Sequence, residues 1–328
     1  MRLTQAEKGR AFRALHERDR AFIIPNPWDA GTARLLARLG FEALATTSAG
    51  YAFSAGRPDN TLERTEMLEH LAAIASACDL PVSADLENGY ADSPEQVAET
   101  IRLAASSGMV GGSIEDTSRE PGRPIYERDL AVERIRAAAE AARALPYPFT
   151  LTARAENYLA GRRDPRDTLE RLQAYQAAGA DVLYAPGLTS KDEIAAVVKA
   201  VNRPVNVVMG LGGIQLSLAE LSGIGVKRVS VGSALSRAAL GAFLRAAREM
   251  RQQGTFGFAS EAVAYREINA MFGTGHEKDR HRGRGELALD GGLLRRDLLA
   301  MRAKRDRDAR DEYRIAGPRC GCFLPGHG

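Results

Sequence analysis

The chain has 328 residues, 45% of them hydrophobic, and a formal net charge of +3 from 45 Lys/Arg against 42 Asp/Glu. That is ample for one large core, and no run approaches the ~18 consecutive apolar residues of a membrane-spanning helix. Residues 274–328 hold 13 Lys/Arg and 9 Asp/Glu, leaving 32 and 33 for residues 1–273, so the body is near neutral and gives no reason to expect nucleic acid as a partner.

The opening segment, MRLTQAEKGRAFRALHERDR, is charged throughout. It lacks the apolar core of a signal peptide and reads as an amphipathic helix. Cys78, Cys320 and Cys322 make no disulfide framework, which points to a reducing cytoplasm.

Eight short apolar runs follow in order: FIIPNPWD (22–29), ALATTSAG (43–50), PVSADLENG (81–89), GGSIEDT (111–117), FTLTARAEN (149–157), DVLYAPG (181–187), PVNVVMG (204–210) and RVSVGS (228–233). Helix-period segments separate them. In SPEQVAETIRLAASSG (93–108), Ser93 is placed to N-cap, Pro94 to stand at the first helical position and Gly108 to end the helix. Strands alternating with helices call for a parallel sheet, and eight such units for a (β/α)8 barrel, whose active site lies at the C-terminal ends of its strands. Past the eighth run, 234–254 and 260–273 read as two further helices. The expected domain is 1–273. The tail, 274–328, is too charged for a core of its own and reads as disordered or partly helical. Its CGCFLPGH segment (320–327) offers three soft ligands where a structural zinc site usually takes four.

Three of the runs break into charged clusters: Asp85/Glu87, Glu115/Asp116 and Arg154/Glu156. Carboxylates avoid apolar surroundings unless paired or bound to a cation. Their convergence on one rim predicts a hard-metal site for Mg2+ or Mn2+, and the arginine predicts an acidic substrate. None of His16, His70, His276, His281 and His327 ends a strand, and Cys78 precedes the third, so imidazole and thiol chemistry are not expected. No nucleophile elbow or dinucleotide fingerprint is present. The loop TTSAGYAFSAGRPDN (46–60) is rich in small and hydroxyl residues, which let a backbone approach an anionic oxygen. GLGG (210–213) and VGSAL (231–235) read as close packing of the barrel wall, and Trp28 and Asp29 as packing residues.

Together TSAGYAFSAGRPD, ADLENGY, SIED and TARAENYL resemble the isocitrate lyase/phosphoenolpyruvate mutase superfamily over residues 10–273. The resemblance implies a barrel whose last helix is swapped between subunits, usually in a dimer of dimers (a homotetramer), binding Mg2+ and acting on small 2-oxo or 2-hydroxy acids through enolate-like species. By position it implies Asp85 as direct metal ligand, with Asp59, Glu87 and Glu115 holding metal-bound waters. Thr47, Ser48 and Ala49 would cradle the substrate carboxylate, Arg154 would bind a substrate oxygen, and Thr47, Glu115 and Arg154 form the implied catalytic set.

The chain also departs from that pattern. Carbon–carbon lyases of the family carry a lid segment KKCGH whose cysteine is the general acid/base, and phosphonate enzymes place an asparagine and a lysine there. Here the lid reads EDTSREPGRPIYERD (115–129), with none of these. Arg119, Glu120, Arg123 and Tyr126 are its candidate replacements. The expected activity is therefore Mg2+-dependent cleavage of a carbon–carbon bond in a small 2-oxo acid. Phosphorus–carbon chemistry of the phosphonomutase or phosphonopyruvate hydrolase type is the first alternative, and a dicarboxylate-binding barrel without turnover the second.

Overall fold

The structure, a computed structural model, describes residues 2–273. Each predicted run contributes a strand: β1 (Phe22–Ile24), β2 (Leu44–Ala45), β3 (Val82–Asp85), β4 (Gly111–Glu115), β5 (Thr150–Arg154), β6 (Val182–Tyr184), β7 (Val205–Val208) and β8 (Arg228–Ser230). They pair in parallel in the order β1-β8-β7-β6-β5-β4-β3-β2. The Ala45 N–H donates to the Pro25 carbonyl at 3.1 Å, bringing the two ends of that sheet together. This is the expected (β/α)8 barrel.

Side-chain alternation divides each strand between two environments. Val82, Ala84, Ile114, Leu151, Ala153, Leu183, Val205, Val207 and Val229 face the helices and join the main apolar core. The residues between them, Ser83, Asp85, Ser113, Glu115, Arg154, Tyr184, Asn206, Arg228 and Ser230, line a cavity inside the barrel. The interior of this barrel is polar, and that is what makes it a site.

The helices are α1 (Gln5–Glu17), α2 (Ala30–Arg38), α3 (Ser48–Ser54), α4 (Arg64–Ala77), α5 (Pro94–Ser106), α6 (Arg128–Arg143), α7 (Pro165–Ala178), α8 (Lys191–Ala200), α9 (Leu218–Ile224), α10 (Ala234–Gln253) and α11 (Tyr265–Phe272). The amphipathic opening segment is α1. Its Phe12 and Leu15 cluster with Phe22, Ala43 and Val110, at the starts of β1, β2 and β4, so it packs across the N-terminal end of the barrel. α5 has the predicted Ser93 cap, with Ser93 Oγ accepting from the Gln96 N–H, and Gly108 just past its end takes φ 93°.

Two details differ from the sequence expectations. The segment 46–60 is not all loop, because Thr47 caps α3 by accepting from the Gly50 N–H at 3.2 Å. A Cβ at Gly50 would come within 2.6 Å of Thr47 and 3.0 Å of Trp28, so the residue that weakens the local helix signal is the one packing requires. GLGG is close-packed only at its start, where a Cβ at Gly210 would come within 3.2 Å of Ala234. Gly212 and Gly213 have φ 102° and 76° with open space where a Cβ would sit, so glycine serves the backbone turn there.

α10 is amphipathic, yet Ser236 is its one buried residue, and Phe243 and Leu244 are 65% and 45% exposed. No helix among the described residues is long and apolar enough to cross a membrane. The tail 274–328, with His276, His281, His327, Cys320, Cys322 and the zinc reading, lies outside the described residues.

Candidate active site

Asp85, Glu115 and Arg154 are the last residues of β3, β4 and β5. Parallel register sets Glu115 opposite Arg154 and Asp85 opposite Ser113. All three open into a cavity of about 850 Å3, which Thr47, Ser48, Ala49, Asp59 and Glu87 also line.

Arg154 is the hub. Its Nη1 donates to Asp85 Oδ1 at 3.1 Å, its Nη2 lies 3.0 Å from Glu115 Oε2, and its Nε donates to Glu156 Oε1 at 2.8 Å. Its guanidinium carbon sits 5.2 Å from the Tyr184 ring centroid. Burial opposes the charge, but three surrounding carboxylates outweigh it and hold Arg154 protonated well above its usual range. Burial raises the pKa of both Glu115 and Glu156, against the pull of Arg154. Asp85 is held from its other side, where Oδ2 accepts from Ser48 N–H and Oγ, both at 3.0 Å. Ser48 is thus already engaged. Thr47 contributes its hydroxyl to the α3 cap, and Ala49 stands beside them on the cavity wall.

Glu87 follows β3 in a left-handed backbone conformation, φ 48°, a strained position that functional sites tend to hold. Its Oε2 accepts from Arg119 Nη2 at 2.6 Å, while its Oε1 is buried without a partner. Burial first, and then the Asp85 charge, push its pKa up to about 7. A raised acid pKa contributes stability that is complete below the unfolded value near 4.5 and is lost as pH rises through 7. That loss is about 3 kcal/mol at ~1.4 kcal/mol per pKa unit. Glu87→Gln, which mimics the protonated acid at all pH values, should therefore gain about 3 kcal/mol over the wild type between pH 4.5 and 8. Urea unfolding in chelator at the two pH values tests this, and a constant difference would show that Glu87 titrates normally.

The neighbouring acid behaves differently. Asp116, one residue past Glu115, falls on the opposite face. It accepts from Arg171 Nη1 at 3.0 Å, the Tyr175 hydroxyl at 2.6 Å and the Glu156 N–H at 2.8 Å. It is a brace between the end of β4 and α7, outside the cavity lining. Asp59 reaches the cavity, but from its exposed rim, where its carboxylate accepts from the Asn60 N–H.

Of the four lid candidates, Arg119 enters the site. Glu120 and Arg123 pair with each other on the exposed surface. Tyr126 is buried, with its hydroxyl donating to Asp92 and accepting from Asn88 Nδ2, and Arg134 lies under its ring at 4.2 Å. These bonds make it a prop for the β3 loop rather than a lid group. Asn26, Asn88, Tyr184, Asn206 and Arg228 are cavity residues that the motif reading missed. A polar residue at an inward position of an apolar run, inside it for Asn206 and at its start for Arg228, was the available signal.

Among the described residues, no group of three or more His, Cys, Asp or Glu is placed to hold a metal ion. Five carboxylates nonetheless face the cavity, those of Asp59, Asp85, Glu87, Glu115 and Glu156, and one of their hard oxygens, Glu87 Oε1, is a buried atom with no partner. That set suits Mg2+, which binds through one or two carboxylates and keeps several waters.

The phosphoenolpyruvate phosphomutase family profile matches residues 12–251. The chain is 34% identical to an uncharacterised protein of Mycobacterium tuberculosis, over 79% of this chain and 95% of that one. It is 30% identical to the 2-methylisocitrate lyase of Escherichia coli, over 60% and 68% respectively. A solved Burkholderia cenocepacia protein, provisionally described as a lyase or mutase, is 68% identical with a TM-score of 0.81, covering 83% of this chain and 97% of that one. A phosphonopyruvate hydrolase solved with oxalate and Mg2+ is 26% identical with a TM-score of 0.73, covering 83% and 96%.

Proposed function

The chain belongs to the phosphoenolpyruvate phosphomutase family, and on that footing we propose that it is a Mg2+-dependent enzyme cleaving a carbon–carbon bond in a small 2-oxo or 2-hydroxy acid. The observation that carries this is the Arg154 cluster: one buried guanidinium and three carboxylates at adjoining strand ends, facing a cavity. Asp85 would hold the ion, with Glu87, Glu115 and Asp59 around it. When bound, Mg2+ supplies Lewis-acid stabilisation of negative charge on the substrate. The relative with bound oxalate and Mg2+ supports this reading.

The chain's own residues supply the rest. Arg154 keeps donors beyond its three ion pairs, since a guanidinium carries five N–H groups, and these can hold a substrate oxygen. Thr47, Ser48 and Ala49 give the substrate carboxylate a wall of small residues, with the Ser48 N–H and hydroxyl held by Asp85 until the ligand or ion displaces them. Arg119 stands over the mouth and orders Glu87 by pairing with it. The lid between 115 and 129 holds no thiol, amine or imidazole, so cleavage of isocitrate or 2-methylisocitrate is not expected despite the lyase among the relatives.

Incubation with Mg2+ and a panel of 2-oxo and 2-hydroxy acids, followed by NMR, tests the reading. Carbon–carbon cleavage that stops on chelation is expected. Turnover of phosphonopyruvate alone would replace it with phosphorus–carbon chemistry.

We also propose a homo-oligomer in which α10 packs on a second copy, as a dimer or dimer of dimers, with 1–273 as the functional unit. The exposed stripe of Leu240, Phe243 and Leu244 supports this, as does Ile23, an outward strand residue left 36% exposed where a barrel strand is normally covered. Phe243→Glu should shift the protein to a smaller species in analytical ultracentrifugation. An unchanged sedimentation coefficient would remove this face from the interface.

A further inference from the structure

Arg228 opens β8, and its side chain lines the cavity at 4% exposure. Its Nε donates to Asn206 Oδ1 at 2.8 Å, and Asn206 Nδ2 in turn donates to Ser230 Oγ at 3.0 Å. Its Nη1 is buried with no hydrogen-bond partner.

The other buried arginines are all provided for. Arg154 and Arg171 face carboxylates. Arg134 has the carbonyls of Asn88, Ala91 and Asp92. Among the described residues Arg228 makes no ion pair. The groups that act electrostatically on it are the neutral Tyr184 and the cationic Arg154, and burial pulls its pKa down to about 10. Its charge helps burial drive His16, on the helix below, down to about 3, so that neighbour is neutral too. A buried charge without a counter-charge is costly, and layers inside such barrels are commonly filled by Val, Ile or Leu instead.

We infer that Arg228 is the residue that receives the second anionic group of the ligand, a carboxylate or a phosphonate, and so sets the preference of this site for dianions over simple 2-oxo monocarboxylic acids. This rests on the reading of the site as one for a 2-oxo acid at Asp85 and Arg154. The first carboxylate is held near the strand ends. The second oxyanion reaches inward to the guanidinium that Asn206 holds in place. Arg228 is therefore a specificity residue and touches no reacting bond.

Calorimetric titrations at saturating Mg2+ compare pyruvate and 2-oxobutanoate with oxaloacetate, 2-oxoglutarate and phosphonopyruvate, on the wild type, Arg228→Met and Arg228→Lys. The wild type should favour dianions. Arg228→Met should weaken them at least tenfold while changing the monoanions less than twofold, and Arg228→Lys should recover part of the preference. The dianion that loses most tells carboxylate from phosphonate. The ligand-free Arg228→Met protein should melt no lower than the wild type, because it sheds an unpaired buried charge.

A dianion preference that survives in Arg228→Met overturns the inference and leaves the 2-oxo acid site intact. The same holds for equal wild-type affinity for both ligand classes. A lower melting temperature with an unaltered preference makes Arg228 a structural residue. Failure of the wild type to bind any of the acids overturns the site reading itself, and this inference with it.

Discussion

Arg154→Met should destabilise the metal-free protein by about 3–5 kcal/mol at pH 8, the usual cost of removing one partner from a buried ion cluster. The substitution leaves Asp85, Glu115 and Glu156 facing one another without the cation that holds all three. The pKa values of Glu115 and Glu156 are already raised by burial and restrained chiefly by Arg154. Without it they rise further, and acids with raised folded pKa values lose stability as pH increases. The deficit should therefore shrink on acidification to pH 5, where the carboxyls can take up protons. Urea unfolding in chelator at the two pH values measures it.

Arg154→Lys divides the two roles of the residue. A lysine restores the charge but not the planar fork that meets Asp85, Glu115 and Glu156 from three nitrogens. It should recover much of the stability yet weaken binding of a 2-oxo acid by roughly 1.5–3 kcal/mol, the range for a charge-assisted hydrogen bond. Wild-type stability in Arg154→Met at pH 8 would mean the cluster is not a cooperative unit. Wild-type ligand affinity in Arg154→Lys would mean Arg154 only neutralises its neighbours.

Much of the site was legible because strand alternation and the barrel rule place a strand's last inward residue at the active face. Asp85, Glu115 and Arg154 each end an apolar run, and each faces the cavity. The same rule, carried one residue further, separates Glu115 from Asp116, although the sequence presents them as a pair. The pairing of Asp116 with Arg171 and Tyr175 then identifies it as a brace. Tyr126 misled for a similar reason. A tyrosine in a polar lid looks available until its hydroxyl is found between Asp92 and Asn88.

Arg228 and Asn206 escaped because a motif reading looks at and past the C-terminal ends of strands, whereas Arg228 opens β8 and Asn206 is the second residue of β7. α3 escaped because Gly50 and small neighbours suppress helix propensity, while the Thr47 cap and the packing against Trp28 restore the helix.

Asp85→Asn should abolish the stabilisation that Mg2+ and a 2-oxo acid confer together. The substitution is nearly isosteric, and the amide oxygen can still accept from Ser48, which now bonds Asp85 through both its N–H and its hydroxyl. The loss is one negative charge at the position best placed to hold the ion. Ligand that binds only the native state adds about 2.7 kcal/mol at a concentration 100 times its Kd. Wild-type protein with Mg2+ and oxalate should show a gain of that order in thermal unfolding, and the asparagine variant should show none. Turnover should fall with it by about 1,000-fold, roughly 4 kcal/mol, because charge developing on the substrate oxygen loses its Lewis acid. Metal-free stability separates this from a folding defect. Asp85 is one of three acids around a single guanidinium, so its neutralisation relieves repulsion from Glu115 and Glu87 while forfeiting attraction to Arg154, and the two effects oppose each other. The variant in chelator should therefore unfold within about 1 kcal/mol of the wild type, the scale of one ordinary hydrogen bond. A retained Mg2+-linked shift would move the ion to Glu87, Glu115 or Asp59. A collapse in chelator would make Asp85 a structural anchor for Arg154, and the metal would lose its only direct ligand in this reading.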